Sequence, residues 1–184
     1  MSVTSVLRMG EPLLFQKSAP VEDILSPDIQ AIIQDMWDTA RHLNGAGIAA
    51  PQLGHPYRIV LFGIPTPRYA ASKEVPATVL INPEITVLDN TEEFGWEGCL
   101  SVPSIRGVVP RFAHILYSGY DAQGHRFERE AMGFHARVVQ HECDHLDGVL
   151  FPGRVRDFTQ FGFEDELGLN KSRQPQGTVT TETV

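Results

Sequence analysis

Apolar positions recur along this chain with two different periods, and the switch between them predicts its elements. Ile29, Ile32, Ile33, Met36, Ala40 and Leu43 are spaced as on one face of a helix, so "SPDIQAIIQDMWDTARHLNG" reads as an amphipathic helix. Ser26 stands ready as its N-cap, Pro27 suits the first turn, and Gly45 is placed to stop it. From residue 56 the texture becomes that of strands. "YRIVLFGI", "ATVLINPEITVLD" and "HILYSGYDAQGHRFERE" are rich in β-branched and aromatic residues and broken by Pro, Gly and Asn. Within the last, Gln123 and Gly124 predict a hairpin turn. A second helix is expected over 132–147, closed by Gly148. Helix, many short strands, helix is the order of an α+β fold with antiparallel sheets. A single domain over residues 1–170 is expected, followed by a polar, mobile tail over 171–184, where apolar periodicity disappears.

Composition narrows the class without naming the chemistry. The 42% hydrophobic and 21% charged shares are those of an ordinary globule, and no run approaches the ~18 apolar residues of a membrane span. A net charge of −8 argues against broad electrostatic binding to nucleic acid. The N-terminus has no secretory pattern. With only two cysteines, Cys99 and Cys143, the expected compartment is a reducing cytoplasm. There a cysteine serves more readily as a ligand or nucleophile than as half of a bridge.

The second helix changes the picture. His141, Glu142 and His145 form an H-E-x-x-H pattern. At about 100° per residue the two imidazoles lie about 40° apart on one face and can converge on one cation. Glu142, about 100° from His141, can exchange a proton with water at that cation without ligating it. Cys143 lies about 200° away, so packing is its reading. A third ligand must come from elsewhere: a downstream acid (Asp157, Glu164, Asp165, Glu166 or Glu182) or, upstream, Cys99 in "EGCLS". "GAGIAAPQ" is no phosphate loop, because neither Lys-Ser nor Lys-Thr follows it. Its small residues leave room for a peptide backbone, with Gln52 as an amide donor.

Taken together and in this order, "GAGIAAPQ", "EGCLS" and "QHECDHLDG" resemble the three signature motifs of the peptide deformylases, and the likeness covers most of residues 1–155. The resemblance implies antiparallel sheets packed around a central helix bearing the H-E-x-x-H motif. It implies a metal held by Cys99, His141 and His145, with Fe(II) as the working ion and Zn, Ni or Co as substitutes. Glu142 is then general base and acid, while Gln52 and the Leu100 N–H stabilise an oxyanion. Gly47, Ala46 and Gly98 line the track of the substrate peptide, Phe134 and Val138 the methionine pocket, and Arg106 its mouth. Ala46 stands where members often carry a bulky aliphatic, which implies a wider pocket. The implied reaction is removal of the formyl group from N-formylmethionyl nascent peptides, with the ribosome near its exit tunnel as a partner and no membrane involved. A zinc endopeptidase and a non-hydrolysing binder of peptide N-termini are the rival readings. The first needs a downstream ligand, and the second would be expected to lack Gln52 or Glu142.

Overall fold

The computed structural model describes residues 3–64 and 75–169. The expected helix runs Pro27–Leu43 (α1) and buries Ile29, Ile32, Ile33, Met36, Thr39 and Ala40. Its two ends depart from expectation. Ser26 occupies the N-cap but caps nothing with its side chain, because the hydroxyl donates to the Asp23 carbonyl instead. At the other end the left-handed residue is Asn44, not Gly45. Gly45 N–H then reaches back to the Ala40 carbonyl and Asn44 N–H to that of Arg41, a closure asparagine tolerates because its short polar side chain permits that conformation. Leu43, counted on the apolar face, is exposed.

Among the described residues six strands form one antiparallel sheet: Gly47–Ala49 (β1), Ile59–Phe62 (β2), Thr78–Cys99 (β3), Val102–Tyr120 (β4), Arg126–Met132 (β5) and Phe161–Phe163 (β6). The order is β1-β2-β3-β4-β5, with β6 added to β4. Successive side chains of a strand point to opposite faces, and β2 shows why this sheet binds helices on both. Ile59 and Leu61 join the α1 cluster with Ile48 and Ile81. Val60 and Phe62 join the opposite cluster, with Leu80, Ile115 and Tyr117. That second face receives Gly133–Leu146 (α2) through Ala136, Val138, Val139, Cys143 and Leu146. A third cluster, built on Val102, Val109, Leu150, Phe151 and Val155, lies beyond it. Burying each large apolar side chain contributes roughly 1.5–3 kcal/mol, so α2 is held rigidly along its length.

The predicted hairpin joins β4 to β5, with Asp121 accepting from the N–H groups of Gln123 and His125. Gly148 closes α2 at φ +72°, and a Cβ there would meet the backbone of Phe15 at 2.6 Å. The expected tail, 171–184, lies outside the described residues. No helix among the described residues is long and apolar enough to cross a membrane.

Candidate metal centre and substrate groove

Three elements deliver the site. The last residue of β3 is Cys99, and the two-residue turn Leu100–Ser101 leads into β4. Helix α2 presents His141 and His145 one turn apart, their ring centroids separated by 5.4 Å. The short β1 and the 3₁₀ turn Ala50–Leu53 bring in Gly47 and Gln52. One donor atom from each of Cys99, His141 and His145 lies within 4.8 Å of the others, and Cys99 Sγ is 3.3 Å from His145 Nε2. Ligand bonds of about 2.3 Å to sulfur and 2.0–2.1 Å to nitrogen put such atoms ~3.5 Å apart around a tetrahedral ion. A thiolate with two imidazoles is also a common donor set for a catalytic transition metal. The residues therefore fit a metal. Burial opposes ionisation of Cys99, yet His145 and His141 bring its pKa well below the ordinary thiol value.

Glu97, which the reading of the sequence passed over as a mere flank of "EGCLS", lies behind this cluster. Its buried carboxylate accepts from His141 Nδ1 at 2.8 Å, from Arg111 Nε and Nη2 at 2.9 Å each and from Arg137 Nη1 at 2.9 Å. Burial works against the charge, but His141 and Arg111 bring its pKa below the ordinary carboxylate range. Holding Nδ1–H in this way leaves the other ring nitrogen of His141 for a metal. Burial likewise opposes protonation of His141, and Cys99 and Glu97 outweigh it, raising its pKa. The signal was in the spacing: Glu97 precedes Cys99 by two residues in a strand and so can follow it toward the same site. Asp144, in the last turn of α2, receives Arg111 and Arg154 and extends the network.

Glu142 is 5% exposed, and its Oε2, like His145 Nδ1, is buried without a hydrogen-bond partner. Burial pushes its carboxyl up to about 7, only partly offset by His141 and His145. It fits because Gly47 has no side chain. A Cβ at Gly47 would lie 2.5 Å from Glu142 Oε1 and 2.8 Å from its carboxyl carbon. Gly47→Ala is accordingly expected to displace Glu142 and lower kcat by ~10²-fold, the scale of an ångström-sized misplacement, while metal content stays unchanged. Parallel metal analysis and turnover measurements check this.

Gln52 is buried and fixed at both ends of its amide. Oε1 accepts from Ala49 N–H at 2.8 Å, while Nε2 donates to Ser101 Oγ at 3.0 Å and faces Cys99 Sγ at 3.4 Å. Its donor group is thus aimed at the cluster. Ser101 is a second residue the sequence did not single out.

A cavity of about 930 Å³ opens on these groups. Gly47, Ala46, Gly98, Leu100, Phe134, Val138 and Arg106 all line it, so every residue assigned to substrate meets it. Phe134 is 39% exposed there whereas Val138 is buried. Cys143 is apart from the cluster. It lies in the apolar core with the other α2 residues, its thiol pushed up by burial. Of the downstream acids, Glu164 lines the cavity but pairs with Arg106 at 2.6 Å, and no carboxylate joins the metal-type cluster among the described residues.

Comparison with known proteins gives a consistent family. Residues 3–161 match the family model described as Polypeptide deformylase. Peptide deformylase 1 of Bordetella pertussis is 53% identical over 166 residues, spanning 90% of this chain and 94% of its own. Peptide deformylase 2 of Ralstonia nicotianae is 52% identical over the same shares. Among solved structures, a Met-Ala-Ser-bound class I type b peptide deformylase from Acinetobacter baumannii gives a TM-score of 0.78 at 39% identity. It covers 84% of this chain and 99% of that one. The peptide deformylase of Thermotoga maritima gives 0.77 at 32%, covering 85% and 100%.

Proposed function

The chain belongs to the polypeptide deformylase family, and from that premise we propose how its residues divide the work. The enzyme is a metal-dependent hydrolase that removes the N-formyl group from newly made polypeptides and releases formate. In this reading Cys99, His141 and His145 hold one divalent ion. The observation that carries it is the convergence of their three donor atoms, together with the unpartnered carboxylate oxygen of Glu142 and a cavity lined by Cys99, His141 and Glu142. The bound ion supplies Lewis acidity, which brings the pKa of water toward neutrality and polarises a carbonyl. We assign Fe(II) as that ion, with Zn, Ni or Co as substitutes, since a thiolate and two imidazoles suit them all.

Glu142 takes the proton of the attacking water and hands it to the amine nitrogen as the formyl C–N bond breaks. A carboxyl poised near neutrality is suited to both transfers. Charge develops on the formyl oxygen, and the Gln52 amide and the Leu100 N–H donate to it. Loss of one such donor commonly costs ~10²–10³-fold in rate. The peptide lies beside Gly47, Ala46 and Gly98 as an added strand. Support comes from β1, which among the described residues ends the strand order and pairs only with β2. The methionine side chain enters between Phe134 and Val138, which share the His141 face of α2. Arg106 lines the mouth. Formylated termini first appear on nascent chains, so the enzyme meets them in the cytoplasm near the ribosomal exit tunnel, a placement that co-sedimentation with translating ribosomes checks.

Ligand assignment is tested by two serine variants. Cys99→Ser is expected to weaken metal binding by at least ~10-fold, since a thiolate ligand gives way to a neutral hydroxyl. Cys143→Ser should retain one ion per chain. Equal metal loss in both, measured by elemental analysis after gel filtration, contradicts the assignment.

A further inference from the structure

One wall of the cavity carries a charge arrangement that hydrolysis itself does not use. Arg106 Nη2 is 2.6 Å from Glu164 Oε2, with the two side chains only 16% and 24% exposed. Arg106 Nη1 donates to the Ile105 carbonyl at 2.8 Å. Glu164 is brought there by fixed backbone rather than by a loose arm. Strand β6 pairs with β4 at Arg106 and Gly162, Glu164 N–H donates to the Ser104 carbonyl, and Leu169 N–H closes the turn on the Glu164 carbonyl. The guanidinium lies across Gly98, where any Cβ would collide with it. The other cavity charges are already committed: Glu97 and Arg137 bind each other, and Glu142 serves the reaction.

A substrate class defined only by its first residue needs a groove indifferent to the charges that follow. An unpaired arginine beside the peptide track would instead favour acidic sequences. We infer that Glu164 is a specificity-determining residue: paired with Arg106, it cancels the positive charge of the cavity wall and keeps deformylation insensitive to the charge of residues after formylmethionine. This rests on the peptide running beside Gly47 and Gly98, as proposed above.

The test is kcat/KM of the metal-replete enzyme for formyl-Met-Ala-Ser, formyl-Met-Asp-Asp and formyl-Met-Lys-Lys. Wild type is expected to treat the three alike. E164Q, which preserves size and one hydrogen bond, is expected to raise the acidic-to-basic ratio by roughly five- to tenfold, the scale of one unit charge near a protein surface. The gain should shrink as salt rises past ~0.15 M, and R106Q/E164Q should abolish it. An E164Q ratio equal to wild type overturns the inference, as does a gain that survives in the double variant. A uniform loss on all three peptides together with a lower Tm also overturns it, because Glu164 then acts only on structure. Wild type that releases no formate from any of the three overturns the proposed function itself, and this inference with it.

Discussion

Glu142→Gln is expected to lower kcat for formyl-Met-Ala-Ser by ~10³-fold or more while each chain still binds one metal ion. Positioned proton transfer contributes ~10²–10⁴-fold, and in the proposed mechanism one carboxylate serves two transfers in succession. The amide keeps the shape that fits against Gly47, so the loss reports chemistry rather than packing. A stability signature accompanies it. The folded-state pKa of Glu142, about 7 because of burial, lies above the ordinary 4.5. A group raised in this way contributes fully below pH ~4.5, and its contribution is lost as pH rises through about 7, amounting to about 3 kcal/mol. The metal-free Gln variant should therefore have a higher Tm than metal-free wild type at pH 8 and show little difference at pH 4.5. Stability given up for function at such a site is a common trade. Thermal scans at both pH values check it.

Glu97→Gln is expected to destabilise the fold by about 3–5 kcal/mol, the usual cost of removing one partner from a buried ion pair. Arg111 keeps Asp144, and Arg137 keeps the carbonyls of Glu93 and Val109. His141 Nδ1 loses the carboxylate it donates to. Metal affinity should fall ~10–100-fold as the ring's orientation and basicity relax. The sign with pH is opposite to that of Glu142. A carboxyl held below its ordinary range contributes fully above it, and the contribution is lost as pH falls through the depressed value. Wild type should thus lose stability on acidification more steeply than the variant, and denaturation curves between pH 3 and 7 with a parallel metal titration measure both effects.

What was legible in the chain follows from where periodicity survives. Helix α1 buries one stripe against the sheet, so its apolar spacing is visible, and the same pitch identifies His141 and His145 as neighbours and turns Cys143 away. The long pairing of β3 with β4 is only half visible. Between Asp89 and Arg111 the two strands mostly pair with each other, with register shifts; β3 is largely exposed from Asp89 to Trp96, whereas β4 buries Val109, Pro110 and Arg111 in succession. Neither a largely exposed strand nor a run of consecutive buried residues leaves an alternation to read. β1 was missed because three small or branched residues after glycines carry no strand period, and Asn44 because a left-handed cap can be filled by asparagine as well as glycine. Cys99 was reachable as a ligand only through the likeness of three motifs, because residues more than 40 positions apart meet through the topology alone. Glu97 and Ser101 were missed because their partners, Arg111 on β4, Arg137 and His141 on α2, and Gln52 in the 3₁₀ turn, come from three other elements of the chain.

The most direct test is formate release from formyl-Met-Ala-Ser by the anaerobically purified wild-type chain, measured as isolated, after chelation and after return of one equivalent of Fe(II). The predicted result is loss to background on chelation and recovery in step with the metal bound, with no recovery in metal-loaded E142Q. Undiminished formate release from the chelated, metal-free chain, or from E142Q, would contradict the account.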